Sequence, residues 1–350
     1  MRKKMWFPLL ATVAAVCTAS GCDQEAPEIQ NTKGRLALTV ITDAVQTKVT
    51  DAQTDKDQAL HSLDIFIFND NNDSRKGKLD AHFSIPPEDA TNNPVHLTVT
   101  QGSKIIYVIA NATQLNDTDH KISWTGVTDL TAFLAKTVLL TQEEMGNYFM
   151  WGTDSSTVPG SGTGTATINL SRLISRVKLN SLQTDFTGTA YEGTELKEIR
   201  AFLVNVTGSR TLTGGVPATP VVLNHGGCVS ADLAAMRIPD ALAEELGSQP
   251  AGTPMSASRY FFAYANPLEQ ESEGNSFTRL VIEAKFAADD PAVYYPINIP
   301  GLEPNATYSY SVTIKRPGTL TPDEPIQYGS IDVTLTVNPW TEKTDTPLEF

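Results

Sequence analysis

Cys22 is the residue whose surroundings most clearly predict chemistry. Residues 2–4 are basic, residues 5–16 are apolar, and small residues at 19–21 lead directly into the cysteine. This layout is typical of a secretory signal, and its apolar stretch is shorter than the roughly 20 residues of a membrane-spanning helix. Because Ala-Ser-Gly-Cys resembles a lipobox, we predict a signal peptide over residues 1–21 and acylation of the Cys22 thiol. The alternative is an ordinary signal peptide in which this cysteine has no role.

The other cysteines offer little further chemistry. Cys17 leaves with the predicted signal peptide, so Cys228 is the one thiol that remains beside the lipidated residue. A single thiol cannot form an internal disulfide, and core packing must therefore stabilise the fold. His225 lies close to Cys228, but no second pair of ligands follows at zinc spacing. We predict that Cys228 is a loop residue and that the chain holds no metal.

Catalytic motifs are missing from the sequence. It contains no Gly-x-Ser-x-Gly, His-Glu-x-x-His or Cys-x-x-Cys arrangement, and its five histidines are scattered. Residues 70–73 could suggest calcium, but the glycine and glutamate of an EF-hand loop are not at their positions. We interpret residues 70–73 as a polar hairpin loop, and we expect neither an enzyme nor a cofactor.

The charge of the chain argues against nucleic-acid binding. The formal net charge is −14, and removal of the basic residues 2–4 leaves 23 basic against 40 acidic residues, a net charge of −17. Nucleic acids are bound by basic surfaces. An acidic surface also resists non-specific association, so any polymer of this chain needs a specific contact.

Alternating apolar residues predict a β protein with small helical insertions. The alternation is clearest over residues 308–314 and 331–337, and it also marks a first strand with Leu36, Leu38 and Val40. Helical spacing is limited to two segments, residues 130–138 followed by a capping-box pattern at 141–144, and residues 232–246. Many short strands joined by Gly/Pro turns favour β-sandwiches.

Several short motifs, in their order along the chain, resemble those of one family. Residues 170–177 read Leu-Ser-Arg-Leu-Ile-Ser-Arg-Val, residues 304–308 read Pro-Asn-Ala-Thr-Tyr, and residues 337–340 read Val-Asn-Pro-Trp. The chain resembles the FimA/Mfa-type fimbrillins, the shaft subunits of type V pili of Bacteroidales. The resemblance implies two tandem transthyretin-like Greek-key β-sandwich domains. We place them at residues 36–178 and 179–350, behind a lipidated tether at 22–35.

The resemblance also implies how subunits would assemble. In fimbrillins a protease removes the first strand, and the C-terminal strand region of the adjacent subunit fills the exposed groove. The released strand here would carry Leu36, Leu38 and Val40. The donor region has alternating apolar residues and a final aromatic residue, namely Ile331, Val333, Leu335, Val337 and Trp340.

The processing site departs from the family pattern. Well-studied members carry an arginine shortly after the first strand, and Lys48 stands at that place in this chain. We predict cleavage at Lys48 or Val49. Arg35 is the less favoured site, because cleavage there would release the lipid and leave the strand in place.

The implied partners are neighbouring pilus subunits (further copies or minor pilins), outer-membrane lipid before processing, and the processing protease. The protein would begin as an outer-membrane lipoprotein and end in an extracellular fimbrium that supports adhesion or biofilm formation. One alternative is an anchor or adhesin subunit of the same superfamily that retains its lipid. Another is a surface lipoprotein that binds or hydrolyses glycans. The last strand could also simply complete the sheet of its own domain.

Overall fold

The computed structural model describes residues 32–42, 59–113, 121–255, 258–323 and 331–339. Within these ranges the protein is built from strands and contains only two short α-helices. No helix in the described part of the chain is long and apolar enough to span a membrane. The prediction of an all-β protein with small helical insertions is therefore confirmed.

The described residues of the first half of the chain form eight strands and one α-helix. They are β1 (Lys33–Thr42), β2 (Leu63–Asn69), β3 (Leu79–Ile85), β4 (Val95–Thr100), β5 (Gly102–Ala110), α1 (Leu130–Leu134), β6 (Thr137–Leu139), β7 (Met150–Val158) and β8 (Thr163–Arg172). Seven of the strands form a sheet in the order β3-β2-β5-β7-β8-β1-β4. Residues 70–73 lie in the connection between β2 and β3, as the interpretation of a hairpin loop requires.

This sheet encloses a hydrophobic core of its own. Leu38 of β1, Ile65 of β2 and Ile168 of β8 are all fully buried members of one cluster. β2 is buried along its whole length, because its other face carries Phe66 and Phe68 into a second cluster. The alternation of side chains along each strand thus assigns successive residues of β2 to different cores.

Helix α1 covers the second face of β2. Its N-cap is Asp129, whose carboxylate accepts a hydrogen bond from the backbone N–H of Ala132 at 3.0 Å. Phe133 points inward from the helix, with its ring centroid 4.8 Å from that of Phe66 and 5.4 Å from that of Phe68. These contacts hold the helix on the sheet.

Part of the predicted helical insertion is wrong. Val138 does not continue the helix but lies in strand β6, which pairs with the second half of the chain. Leu140–Gln142 forms a 3₁₀ helix, so Thr141 lies inside it and does not cap a new α-helix. Glu143 accepts from the backbone N–H of Phe149 at 2.9 Å, a partner that the capping-box pattern does not reveal.

In the second half, the part of the chain that the structure describes forms eleven strands and one α-helix. They are β9 (Ile174–Thr184), β10 (Leu196–Val204), β11 (Val206–Thr207), β12 (Ser209–Thr211), β13 (Val222–Leu223), α2 (Ser230–Ala235), β14 (Ala243–Gln249), β15 (Arg259–Tyr264), β16 (Thr278–Lys285), β17 (Val293–Ile299), β18 (Ala306–Ile314) and β19 (Ile331–Pro339). They form the sheets β14-β10-β16-β17 and β15-β9-β18-β19 and the small pairs β11-β13 and β12-β6.

A single large hydrophobic cluster lies among these strands. It includes Leu203 of β10, Leu280 of β16 and Tyr310 of β18, and it continues to Phe133 under α1. The predicted helix over residues 232–246 is wrong over most of its length. Helix α2 ends at Ala235, and strand β14 begins at Ala243.

The two halves are joined without a linker. Leu173 alone separates β8 from β9, and it is buried in the large cluster. β9 runs through positions 178 and 179, so the predicted domain boundary falls within a strand. The division into two domains stays a prediction.

Candidate strand-exchange site

Strand β1 has a neighbour on each side. It pairs parallel with β8, from Arg35 opposite Thr163 to Thr42 opposite Leu170. On its other edge it pairs antiparallel with β4. Both rows of backbone hydrogen-bonding groups are therefore used, which makes β1 an interior strand of the sheet.

The inward side chains of β1 belong to the core. Leu36 and Leu38 are fully buried, and Val40 is 4% exposed. They share a cluster with Leu97 of β4 and Ile168 of β8. Removal of β1 would leave an apolar groove with one site for each of its three side chains.

The side chain of Asn93 forms hydrogen bonds with the backbone near the end of β1. The Oδ1 atom of Asn93 accepts from the backbone N–H of Val40 at 2.9 Å, and its Nδ2 atom donates to the carbonyl of Val40 at 2.8 Å. This pair of hydrogen bonds continues the ladder beyond the last residues that β4 pairs with β1. Sequence reasoning missed Asn93, since a polar residue in a loop gives no signal of such a contact.

Strand β4 is anchored at its other end by a buried ion pair. Lys104 Nζ lies 3.0 Å from Asp80 Oδ2, with side chains 0% and 6% exposed. The Asp80 carboxylate also accepts from the backbone N–H and the hydroxyl of Thr100, the last residue of β4, at 2.9 and 2.7 Å. Burial acts to raise the pKa of Asp80, but hydrogen bonds from Thr100 and Lys104 outweigh it and hold that pKa below its ordinary value.

Strand β19 lies at the edge of its sheet. Among the described residues it pairs with β18 alone, antiparallel, from Ile331 opposite Ile314 to Pro339 opposite Ala306. Ile331 and Leu335 are half-buried and pack on the large cluster. Val333 and Val337 are 37% and 50% exposed. The alternating residues of β19 are thus only partly covered by its own half of the chain.

Of the remaining predicted site residues, the structure describes Arg35. Arg35 is exposed but lies within β1, paired with Thr98 and Thr163. Cys22, Lys48, Val49 and Trp340 lie outside the described residues.

Cys228 lies apart from strands β1 and β19 in the chain. Cys228 is half-buried in the connection between β13 and α2, and burial raises the pKa of its thiol. No group of three or more His, Cys, Asp or Glu residues in the described ranges is placed to hold a metal ion.

A buried polar cluster instead connects the insertion to the second half. Glu143 accepts from the Tyr264 hydroxyl of β15 at 3.0 Å and lies 3.7 Å from Lys121 Nζ. Burial raises the pKa of Glu143 and lowers that of Lys121. The cluster therefore connects the insertion around Glu143 with strand β15.

Comparison with known proteins relates the first half of the chain to one family. Residues 32–200 match the model of the family "Major fimbrial subunit protein (FimA)". The matched range is just under half of the chain, and over it the chain is similar to the FimA fimbrillins. The matched range begins just before β1 and ends within β10, so it contains the interior strand and its whole sheet. The matched family is one of structural fimbrial subunits.

Solved structures of similar fold come from related bacteria. A protein assigned to cell adhesion from Bacteroides eggerthii DSM 20697 superposes with a TM-score of 0.64 at 20% identity, covering 89% of this chain and 97% of that chain. The fimbrilin FimA from Porphyromonas gingivalis W83 superposes with a TM-score of 0.58 at 15% identity, covering 89% and 98%. A cell-adhesion protein from Parabacteroides distasonis ATCC 8503 has a TM-score of 0.57 at 16% identity, covering 88% and 99%.

At these identities the superpositions show a shared fold across nearly the whole chain. No curated protein sequence matches the chain. The predicted resemblance to the FimA/Mfa-type fimbrillins is confirmed.

Proposed function

We propose that this protein is a fimbrial shaft subunit that polymerises by protease-triggered donor-strand exchange. Cleavage after β1 would release that strand, and the β19 region of a neighbouring subunit would take its place. The observation that carries the proposal is the contrast between the two strands. Both have apolar residues at every second position, but β1 is buried between two partners and β19 is a half-exposed edge.

Loss of β1 would leave unpaired backbone groups and exposed apolar sites that a replacement strand could cover. The facing edges of β4 and β8 would lose their backbone partners, and unpaired backbone groups in a protein interior are costly. The sites of Leu36, Leu38 and Val40 would be open to water. A strand that brings alternating apolar side chains would restore both kinds of contact, as in strand addition to an open sheet edge.

Strand β19 has the pattern that such a groove accepts. Its nine residues compare with the ten of β1. Ile331, Val333, Leu335 and Val337 repeat at the two-residue spacing of the β1 side chains. Val337, half exposed in the monomer, would gain burial on insertion. Because donor and acceptor lie in different parts of the subunit, the contact is head-to-tail and gives an open filament.

The position of β1 also favours Lys48 or Val49 over Arg35 as the processing site. Proteases cut exposed chain segments, and Arg35 is held in a ladder on both sides. Cleavage after residue 42 would separate β1 from the rest of the subunit. If Cys22 carries the lipid, the same cut removes the membrane tether. The outer membrane would then be the place of the precursor, and the extracellular fimbrium that of the product.

The test uses the unlipidated protein, Cys22→Ser, with the recognition sequence of a site-specific protease placed at residues 46–52. Electron microscopy and gel filtration are carried out before and after cleavage. We expect monomers before cleavage and filaments after it. A matched protein without residues 331–350 should be cleaved equally and stay a folded monomer. Filaments formed by this truncated protein would rule out β19 as the donor.

N-terminal sequencing of fimbriae sheared from cells tests the alternative of a permanent anchor. A start near Val49 supports strand release. A blocked, acylated Cys22 in assembled fimbriae would instead identify an anchor or adhesin subunit that retains its lipid.

A further inference from the structure

A cavity of about 280 Å³ lies beside strands β11–β13, far along the chain from β1 and β19. One wall comes from the segment around these short strands, including Arg210, Val216, Val221 and Val222. The opposite wall comes from the loop between β15 and β16, including Leu268. The proposed strand exchange uses none of these residues.

Arg210 is the unusual member of the lining. It is only 5% exposed. Its Nη2 atom donates to the carbonyl of Ala265, and its Nε atom is buried without a hydrogen-bond partner. Among the described residues no carboxylate forms an ion pair with it, and burial lowers the pKa of its guanidinium.

A second buried arginine, Arg279, has the carboxylate partners that Arg210 lacks among the described residues. Arg279 is 3% exposed, and its guanidinium is paired with the carboxylates of Glu271 and Asp323. A buried charge is costly unless it is paired, and arginine is suited to bind a carboxylate through two parallel hydrogen bonds. Arg279 has such anions within the chain, and Arg210 has none in its described surroundings.

The rest of the lining is compatible with an anion that has an apolar part. It contains no aspartate or glutamate, although the chain has 40 acidic residues. Val216 is 68% exposed and Val222 is 51% exposed at this surface. Such a row of valines offers apolar contact next to the cation.

We propose that this cavity binds a compact ligand that carries one carboxylate and an apolar body. Arg210 binds the carboxylate, and Val216, Val221 and Val222 contact the apolar body. The volume restricts the part of the ligand inside the cavity to about one blocked amino acid, since it lies just below the roughly 300 Å³ at which pockets for drug-sized ligands begin. A free carboxylic acid and the C-terminal carboxylate of a peptide share this chemistry.

The test measures binding to the uncleaved monomer by calorimetry and by ligand-dependent thermal stabilisation. The probes are N-acetyl-leucine, its neutral amide, and an acetylated tripeptide ending in leucine. We expect the two carboxylates to bind and the amide not to bind. Arg210→Met should weaken carboxylate binding about 10- to 100-fold, the usual effect of losing hydrogen bonds to a charged group. The surface variant Arg237→Met should bind as the unmodified protein does.

A second variant leaves Arg210 in place and changes an exposed position, so that folding is not at stake. Val216→Asp puts a competing carboxylate at the cavity and should abolish binding of both acids. Tighter binding of the tripeptide would identify a peptide terminus as the ligand source, and equal or tighter binding of N-acetyl-leucine would identify a free acid. Equal binding of acid and amide, no binding of either acid, or unchanged binding by Arg210→Met would each overturn the proposal.

Discussion

Strands β1 and β19 have a similar alternation of apolar residues, but their surroundings differ. Each alternates apolar with mostly polar residues, and each lies near one end of the chain. β1 has a strand on both sides and side chains that are buried, whereas β19 has one neighbouring strand and two valines at least one-third exposed. The comparison teaches that position in a sheet, more than sequence pattern, decides which strand would leave an apolar groove if it were removed.

The two strands also differ in the side-chain contacts that hold them and their neighbouring strands in place. Asn93 binds the backbone of β1, and the Asp80–Lys104 pair holds the end of β4. β19 is attached through its backbone ladder to β18 and through the contacts of Ile331 and Leu335 with the core. We therefore expect substitutions around β1 to change stability and substitutions on β19 to change assembly.

The largest effect is expected from Asp80→Asn. It would leave the Lys104 ammonium buried without its carboxylate, which costs about 3–5 kcal/mol of unfolding free energy in such sites. Urea denaturation at pH 7 measures the loss. The matched control is Asp70→Asn, whose ion pair with Lys76 is exposed and should contribute little.

The same pair predicts a pH dependence. Because the pKa of Asp80 is lowered by folding, its contribution is complete above the unfolded value of about 3.9 and is lost as the pH falls through the lower folded value. The difference between the unmodified protein and Asp80→Asn should therefore shrink below about pH 4. An unchanged difference at acid pH would show that this carboxylate is not the titrating group.

Leu38→Ala should have the next largest effect. Deletion of a fully buried leucine side chain costs about 2–5 kcal/mol, and the sheet on both sides of β1 limits how far the cavity can collapse. The matched substitution Leu335→Ala on half-buried β19 should cost clearly less in the same urea titration. Equal losses for the two variants would contradict the proposed difference between the strands.

Val337→Ala should have the smallest effect on stability and a visible effect on assembly. Val337 is 50% exposed, and surface substitutions usually change stability by less than about 0.5 kcal/mol. In the cleavable protein described above, filament growth after proteolysis should be slower, because the inserted strand would bury a smaller side chain. The rate of increase in light scattering measures this, and a rate equal to that of the unmodified protein would place Val337 outside the donor contact.

Local patterns predicted strands more successfully than they predicted helices. Alternation correctly indicated β1, β18 and β19, because the two-residue repeat belongs to the strand itself. Helical spacing failed at Val138 and Leu246, which lie in strands β6 and β14. Val138 pairs with Arg210, and strand β14 pairs with β10. Such pairing with distant segments overrides a short local preference.

Side-chain contacts between distant residues had no signal in the sequence. Asn93 lies 53 positions from Val40, and Asp80 lies 20 positions from Thr100. A single polar residue can serve equally well in a solvated loop or in a buried contact, so its type does not reveal its partner. Arg210 was missed for the same reason, since only the folded chain shows that it is buried beside a cavity without a carboxylate.

The sequence by itself determined that the chain is a β protein, that its ends carry alternating apolar strands, and that its motifs resemble those of fimbrillins. Only the tertiary structure decided that β1 is interior and β19 is an edge. The physical reason is that alternation specifies which face of a strand is apolar, while the number of neighbouring strands depends on backbone hydrogen bonds to residues far away in the chain. The proposed exchange rests on that second property.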